Sequence, residues 1–341
     1  LFNWSRRIKS KRQNNMDSSV QTISSQIERM LAYLKGFEDP NDFSECERYI
    51  REEFDLYNIA YNPEYNQRQY DHAVRLLTIE PRLANIMIFH GNGHIREVSL
   101  NKLERRLEFP VSVYGLFCRL NDWGEPVRSA AWKAFSSCLQ NTPAETLMPA
   151  VCLVLQDGHT WKRWQGGFVD LIDQITSRSE LLQLLTTRLM SDHRNGTGRI
   201  FQSLSRSSNI DDKLEEIARR AAHPQIRAMA IRYLSCGTVA WPTGKKRRNW
   251  IDKSSGRFRD VPTYDSRPIT VPYNLPEIIR NGIHDRSTFV RKQSLDALIL
   301  HRQDPTFHNL ISESLFIFAE ETRPTFKERI DFLQRNQLEK L

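Results

Sequence analysis

The stretch NDWGEPVRSAAWKAF, Asn121 to Phe135, decides how this chain is read. Asp122 and Gly124 break the preceding element. Pro126 suits a first helical turn, where its missing N–H costs nothing, and Val127, Ala130, Ala131 and Phe135 recur near helical period. A polar turn therefore leads into a helix with one apolar side. The same order of residue types returns in HGNGHIREVSLNKL, QDGHTWKRWQGGFVDLI, SDHRNGTGRIFQSL, AAHPQIRAMAIRYL, HDRSTFVRKQSLDALIL and EETRPTFKERIDFL. Its basic positions are Arg96, Arg128, Arg163, Arg199, Arg227, Arg291 and Lys327, at intervals of 32, 35, 36, 28, 64 and 36 residues. An acid stands six residues earlier in four of the units, as Asp122, Asp157, Asp285 and Glu321.

An apolar helical segment precedes each turn: PRLANIMIF, VSVYGLFCRL, TLMPAVCLVL, ELLQLLTTRLM, KLEEIARRAA, LPEIIRNGI and LISESLFIFAE. Two helices of about ten to fifteen residues cannot close a core by themselves, so successive pairs must stack. The fold class that follows is all-α, an α-solenoid of stacked antiparallel helix pairs. On the Asp-x5-Arg turns, on Pro126, Pro224 and Pro324, and on Pro149 inside a first helix, residues 80 to 337 resemble the HEAT repeat family, in particular its bacterial short HEAT-like form. The resemblance implies that turn acid and second-helix arginine pair between neighbouring repeats, so that Asp122 and Arg128 serve the scaffold. It identifies a fold well and an activity poorly.

Around the repeats the chain divides into a basic tail (1–18), an N-terminal helical cap (19–79), HEAT-like repeats (80–236), an insert (237–273) and further repeats (274–341). In the cap, DPNDFSECERYI supplies a helix start with Asp42 or Ser44 to receive exposed N–H groups. The long interval between Arg227 and Arg291 is explained by the insert, expected to be irregular or a β-hairpin.

Charge is distributed unevenly. The whole chain carries +8, from 49 Lys and Arg against 41 Asp and Glu. Residues 1–16 hold five cations and no acid, and residues 237–273 hold eight cations against three acids, so each block is +5 and the remainder is −2. Electrostatic work is thus confined to a tail and an insert. The insert combines Lys245, Lys246, Arg247, Arg248, Arg257 and Arg259 with Trp241, Trp250, Phe258, Tyr264 and Tyr273. Such cations neutralise phosphates or an acidic surface while the rings stack. Trp161 and Trp164, read as one helical turn apart, form a second candidate contact. HEAT-like alkylpurine DNA glycosylases, to which the repeats are similar, use tryptophans with an aspartate in a groove, and here Asp157 alone has one-turn spacing from Trp161. It also fits the scaffold position, and the packing reading of the two tryptophans is preferred.

Other chemistry is not signalled. The five cysteines are odd in number and lack a CxxC pair, which reads as reduced thiols packed as small hydrophobes and gives a cytoplasmic expectation. The longest apolar run, Leu147 to Leu155, contains Pro149 and is far short of the roughly 20 residues that span a bilayer. His90 and His94 lie in HGNGH, whose glycines oppose a helical metal site, and no phosphate-cradling loop or nucleophile elbow occurs. No cofactor or metal is expected and no enzyme is indicated. The function read from the sequence is a protein-binding scaffold or adaptor, a subunit of a larger complex whose partner has an acidic surface. The alternative is a nucleic-acid-binding solenoid, in its most specific form glycosylase-like.

Overall fold

A computed structural model describes residues 16–37, 43–57, 63–164, 167–194 and 196–338. The basic tail up to residue 15 and the cap candidate Asp42 lie outside the residues so described, while Ser44 falls within the helix that starts at Phe43 and so does not precede it. Seventeen α-helices and one two-stranded antiparallel sheet are present among them, so the chain is mostly helical. It divides into two compact units, residues 1–181 and 182–341, a boundary that the sequence reading did not draw.

In the first unit the helices are α1 (Met16–Lys35), α2 (Phe43–Phe54), α3 (Pro63–Ile79), α4 (Ala84–Met87), α5 (Gly93–Lys102), α6 (Pro110–Leu120), α7 (Glu125–Asn141), α8 (Ala144–Asp157) and α9 (Phe168–Ser177). The opening stretch behaves as its pattern requires. Pro126 occupies the first turn of α7, and Val127, Ala130, Ala131 and Phe135 are all buried. First helices pack on first helices, α6 on α8, and second on second, α5 on α7, while α6 also packs on its own partner α7. Gly115 makes the fit of α6 possible: a Cβ there would lie 2.5 Å from the Phe89 ring and 2.8 Å from Ile88.

Two expectations need correction here. PRLANIMIF forms only a 3-10 turn, Pro81–Leu83, and the four-residue α4, because the chain turns away at Phe89 and Gly91 donates its N–H to the Leu56 carbonyl. Trp161 and Trp164 are not on a helix. Gly167, with φ of +91°, stands immediately before α9, so the helix starts only at Phe168 and the tryptophans lie upstream of it.

The helix α10 (Ser179–Ser191) contains the boundary between the units. The second unit continues with α11 (Thr197–Leu204), α12 (Asp211–Arg220), α13 (Pro224–Cys236), strands β1 (Thr238–Asp252) and β2 (Arg257–Pro268), then α14 (Leu275–Ile283), α15 (Thr288–Leu300), α16 (His308–Ile317) and α17 (Pro324–Leu338). The same packing recurs: α12, α14 and α16 follow one another, as do α11, α13, α15 and α17.

The turn grammar becomes a bonding pattern. Arg96 donates Nε and Nη2 to the two oxygens of Asp122 at 2.9 and 2.8 Å, and its Nη1 to the carbonyls of His90 and Gly91. Arg227 does the same with Asp285, at 2.7 and 2.8 Å, and with the carbonyls of Ala221 and Ala222. Arg128 and Arg291 likewise cap the backbone of their own turns, at Asp122 and Trp123, and at Asp285 and Arg286. Each of these arginines thus satisfies carbonyls five and six residues back, and two of them also reach the acid of the following pair. At Glu321 the carboxylate is instead held by Arg323.

No helix among the described residues is long and apolar enough to cross a membrane.

Candidate functional site

The insert is a β-hairpin with a fixed root and an exposed arm. Gly237, left-handed at φ +63°, ends α13. Ile269 donates its N–H to the Gly237 carbonyl at 2.9 Å, so the chain leaves and rejoins the helical body at one point. Tyr273 adds a hydroxyl bond to the Leu234 carbonyl. Val239 is fully buried and Trp241 is 9% exposed, with the Arg206 guanidinium 5.7 Å from its ring. Arg267 completes the root: it donates to the carbonyls of Ser205 and Ser207 and, through Nη1 and Nη2, to the carboxylate of buried Asp211 at 2.9 and 2.6 Å. Arg267 and Trp241 therefore hold the hairpin to its own unit, and Trp241 is not displayed as a contact residue.

Beyond Pro242 the ribbon leaves the body. A register shift between Pro242 and Lys246 takes in Gly244, whose φ of +76° suits a residue without a Cβ. At the far end the Asp252 carboxylate receives the Ser254 N–H at 2.9 Å and the hydroxyls of Ser254 and Ser255. Those bonds, the Ser254 hydroxyl foremost, hold its pKa down to about 2. From Thr243 to Asp252 the arm extends roughly 30 Å at about 3.3 Å per residue.

Register assigns the side chains to faces, since directly opposed residues of an antiparallel pair point the same way. Lys246 faces Pro262, Arg248 faces Asp260 and Trp250 faces Phe258 on one side, while Arg247 faces Val261 and Asn249 faces Arg259 on the other. On the first face Trp250 and Phe258 meet edge to face at 5.6 Å, and the Arg248 guanidinium sits 3.9 Å from the Phe258 centroid and 5.4 Å from Trp250. This cluster stiffens a two-stranded ribbon that would otherwise be marginal in water. Both of its rings remain 43% exposed. The second face carries Arg247, Arg257 and Arg259.

Residues 243–262 hold seven cations (Lys245, Lys246, Arg247, Arg248, Lys253, Arg257, Arg259) against Asp252 and Asp260, a net +5. Every one of the seven is exposed, and none makes an ion pair among the described residues. The structure thus brings together Lys245, Lys246, Arg247, Arg248, Trp250, Phe258, Arg257 and Arg259, with Phe258 set opposite Trp250, eight positions away. Trp161 and Trp164 belong to the other unit, where their rings stack at 5.1 Å and Trp164 donates its indole N–H to the Gly158 carbonyl. No group of three or more potential metal ligands occurs among the described residues. Compared with models of protein families, with curated proteins and with solved structures, the chain matches none.

Proposed function

We propose that this chain is a helical-repeat scaffold that grips nucleic acid, preferentially a duplex, through its β-ribbon arm. The observation that carries the reading is the exposed ribbon of net +5 without internal ion pairs. A solvated loop would let its cations pair locally or lie back on the body; this one is held at its root and stiffened along its length. A two-stranded ribbon is of a size that the major groove, about 12 Å wide, admits. In that placement the Arg247, Arg257 and Arg259 face supplies phosphate contacts, and the Arg248, Trp250 and Phe258 face meets base edges. The serial packing of first on first and second on second helices, with Arg–Asp pairs between successive turns, supports the α-solenoid of short HEAT-like kind as the body carrying the arm.

A protein partner with an acidic surface is the second reading, favoured by the same Trp250, Phe258 and Arg248 cluster, because tryptophan and arginine dominate protein interfaces. The two separate by salt and by ligand. Fluorescence polarisation with a labelled 24-base-pair duplex is expected to show binding that weakens roughly 10²–10³-fold between 50 and 200 mM salt, as about five phosphate contacts require. Replacing residues 243–262 by Asn-Gly, which leaves Val239, Trp241 and Arg267 in place, is expected to remove at least 100-fold of that affinity. Duplex binding that survives the replacement, or an absence of duplex binding beside salt-sensitive capture of an acidic protein, overturns the nucleic-acid reading.

A further inference from the structure

A second cationic feature lies in the first unit and owes nothing to the arm. A cleft of about 490 Å³ is lined by Glu47, Arg51, Arg96, Arg119, Asp122, Trp123, Trp161 and Arg163, with Gly91, Cys118 and Asn121 filling in between. Four arginines against two carboxylates leave it at +2. Both carboxylates are already committed. Glu47 receives Arg51 and Arg119, and Asp122 receives Arg96 bidentately together with Arg119. The Arg119 Nε is buried and has no hydrogen-bond partner. Close by, His90 is held neutral down to about pH 4, by burial first and then by the charges of Arg96 and Arg51.

At the mouth the arrangement is built for contact. Asn121 Oδ1 accepts the Arg163 backbone N–H at 2.9 Å, fixing the segment that carries Trp161 and Arg163. The Arg163 guanidinium lies 3.5 Å from the Trp123 ring centroid, and the Trp123 side is 82% exposed. A guanidinium stacked on an indole keeps its in-plane N–H donors for an oxyanion, which they meet bidentately. Arg163 makes no ion pair among the described residues. Asp122, bonded on both oxygens, is not placed to act as a base.

We propose that this cleft binds a phosphate monoester carried on a flat organic group, as in a nucleoside 5′-monophosphate or the 5′-phosphorylated end of a strand. The excess of two positive charges matches a phosphate monoester, which carries about −1.5 to −2 at neutral pH, better than a single carboxylate. The indoles of Trp123 and Trp161 supply surfaces for the planar group, and the volume falls within the range of small-molecule sites.

Isothermal titration of the full chain with adenosine 5′-monophosphate tests the assignment, with adenosine and inorganic phosphate as separate probes. Saturable binding is expected for the monophosphate, at least tenfold tighter than for either part. Both R163A and W123A are expected to weaken it at least tenfold with unchanged far-ultraviolet circular dichroism, because Trp123 is exposed and the Arg163 guanidinium holds no carboxylate. R163K, which keeps the charge and loses the fork, should fall between. Competition assigns the source: a 5′-phosphorylated oligonucleotide that displaces the monophosphate at lower concentration than its 5′-hydroxyl counterpart indicates a strand end, and equal competition indicates the free nucleotide. The proposal is overturned by no saturable binding at millimolar monophosphate, by binding indifferent to R163A and W123A, or by a phosphotyrosine peptide binding more tightly. The Asn-Gly replacement of the arm should leave this binding unchanged, so failure of either reading is told apart from failure of the other.

Discussion

Arginine does opposite work in the helical body and in the arm. In the body Arg96, Arg119, Arg227 and Arg267 are almost removed from water and bonded to carboxylates, with backbone carbonyls taking further donors of all but Arg119. In the arm Arg247, Arg248, Arg257 and Arg259 stand in solvent without a carboxylate partner. A buried guanidinium needs a fixed partner because desolvation is not otherwise offset, whereas an exposed one needs none and stays available to a ligand. Net charge therefore marks a surface only after the charges used inside have been set aside.

The comparison predicts a sharp division in stability. R227A removes a buried cation, leaves Asp285 without its bidentate partner and frees two carbonyls, and is expected to destabilise by about 3–5 kcal/mol in urea unfolding. A loss under 1 kcal/mol would mean that the buried and the displayed arginines are not different in kind.

Titration gives a second contrast. His90 has its pKa depressed to about 4. The unfolded chain, with histidine near 6.5, takes up a proton that the native state refuses between those values, so stability falls as pH drops from about 6.5 to 4. The expected loss is about 1–3 kcal/mol, and H90N should flatten that part of the profile. The lowered pKa values of Asp122 and Asp285 act further down: burial opposes ionisation, but arginine bonding outweighs it. Their contribution is present above the unfolded carboxylate value near 3.9 and is lost as pH falls through the depressed ones. Asp252, at the far end of the arm, acts in the same low window, between the unfolded carboxylate value and about 2.

A backbone contact tests the body without charge. G115A forces a methyl against Phe89 and Ile88 and is expected to cost about 1–3 kcal/mol. At the small end, R247A, R257A and R259A together should change stability by no more than about 0.5 kcal/mol, while reducing the slope of duplex affinity against salt by up to about three contacts. A large stability loss in that triple variant would erase the distinction between arm and body.

How far the sequence was legible follows the same line. Local patterns read correctly: the Pro126 start and the buried face of α7 both depend on neighbours a few residues apart. What escaped depends on distant partners. Arg267 has the same composition as the arm but lies beside Asp211, 56 positions away. Phe258 was legible as an aromatic of the insert, but its pairing with Trp250 appears only once register sets the two opposite. Trp161 and Trp164 looked helical because the apolar spacing continued through them, and the late helix start beside Gly167 was the signal against it. Trp123 was passed over as a turn residue, although a tryptophan in a polar turn has no apolar neighbour in sequence to bury it.

The hydrogen bond between Ile269 and Gly237 gives the hairpin a single attachment point. Its ends lie together, so its length and side chains are free to vary while α13 and α14 keep their seating. An engineered chain can lengthen, shorten or exchange that projection as a detachable module without redesigning the part that folds.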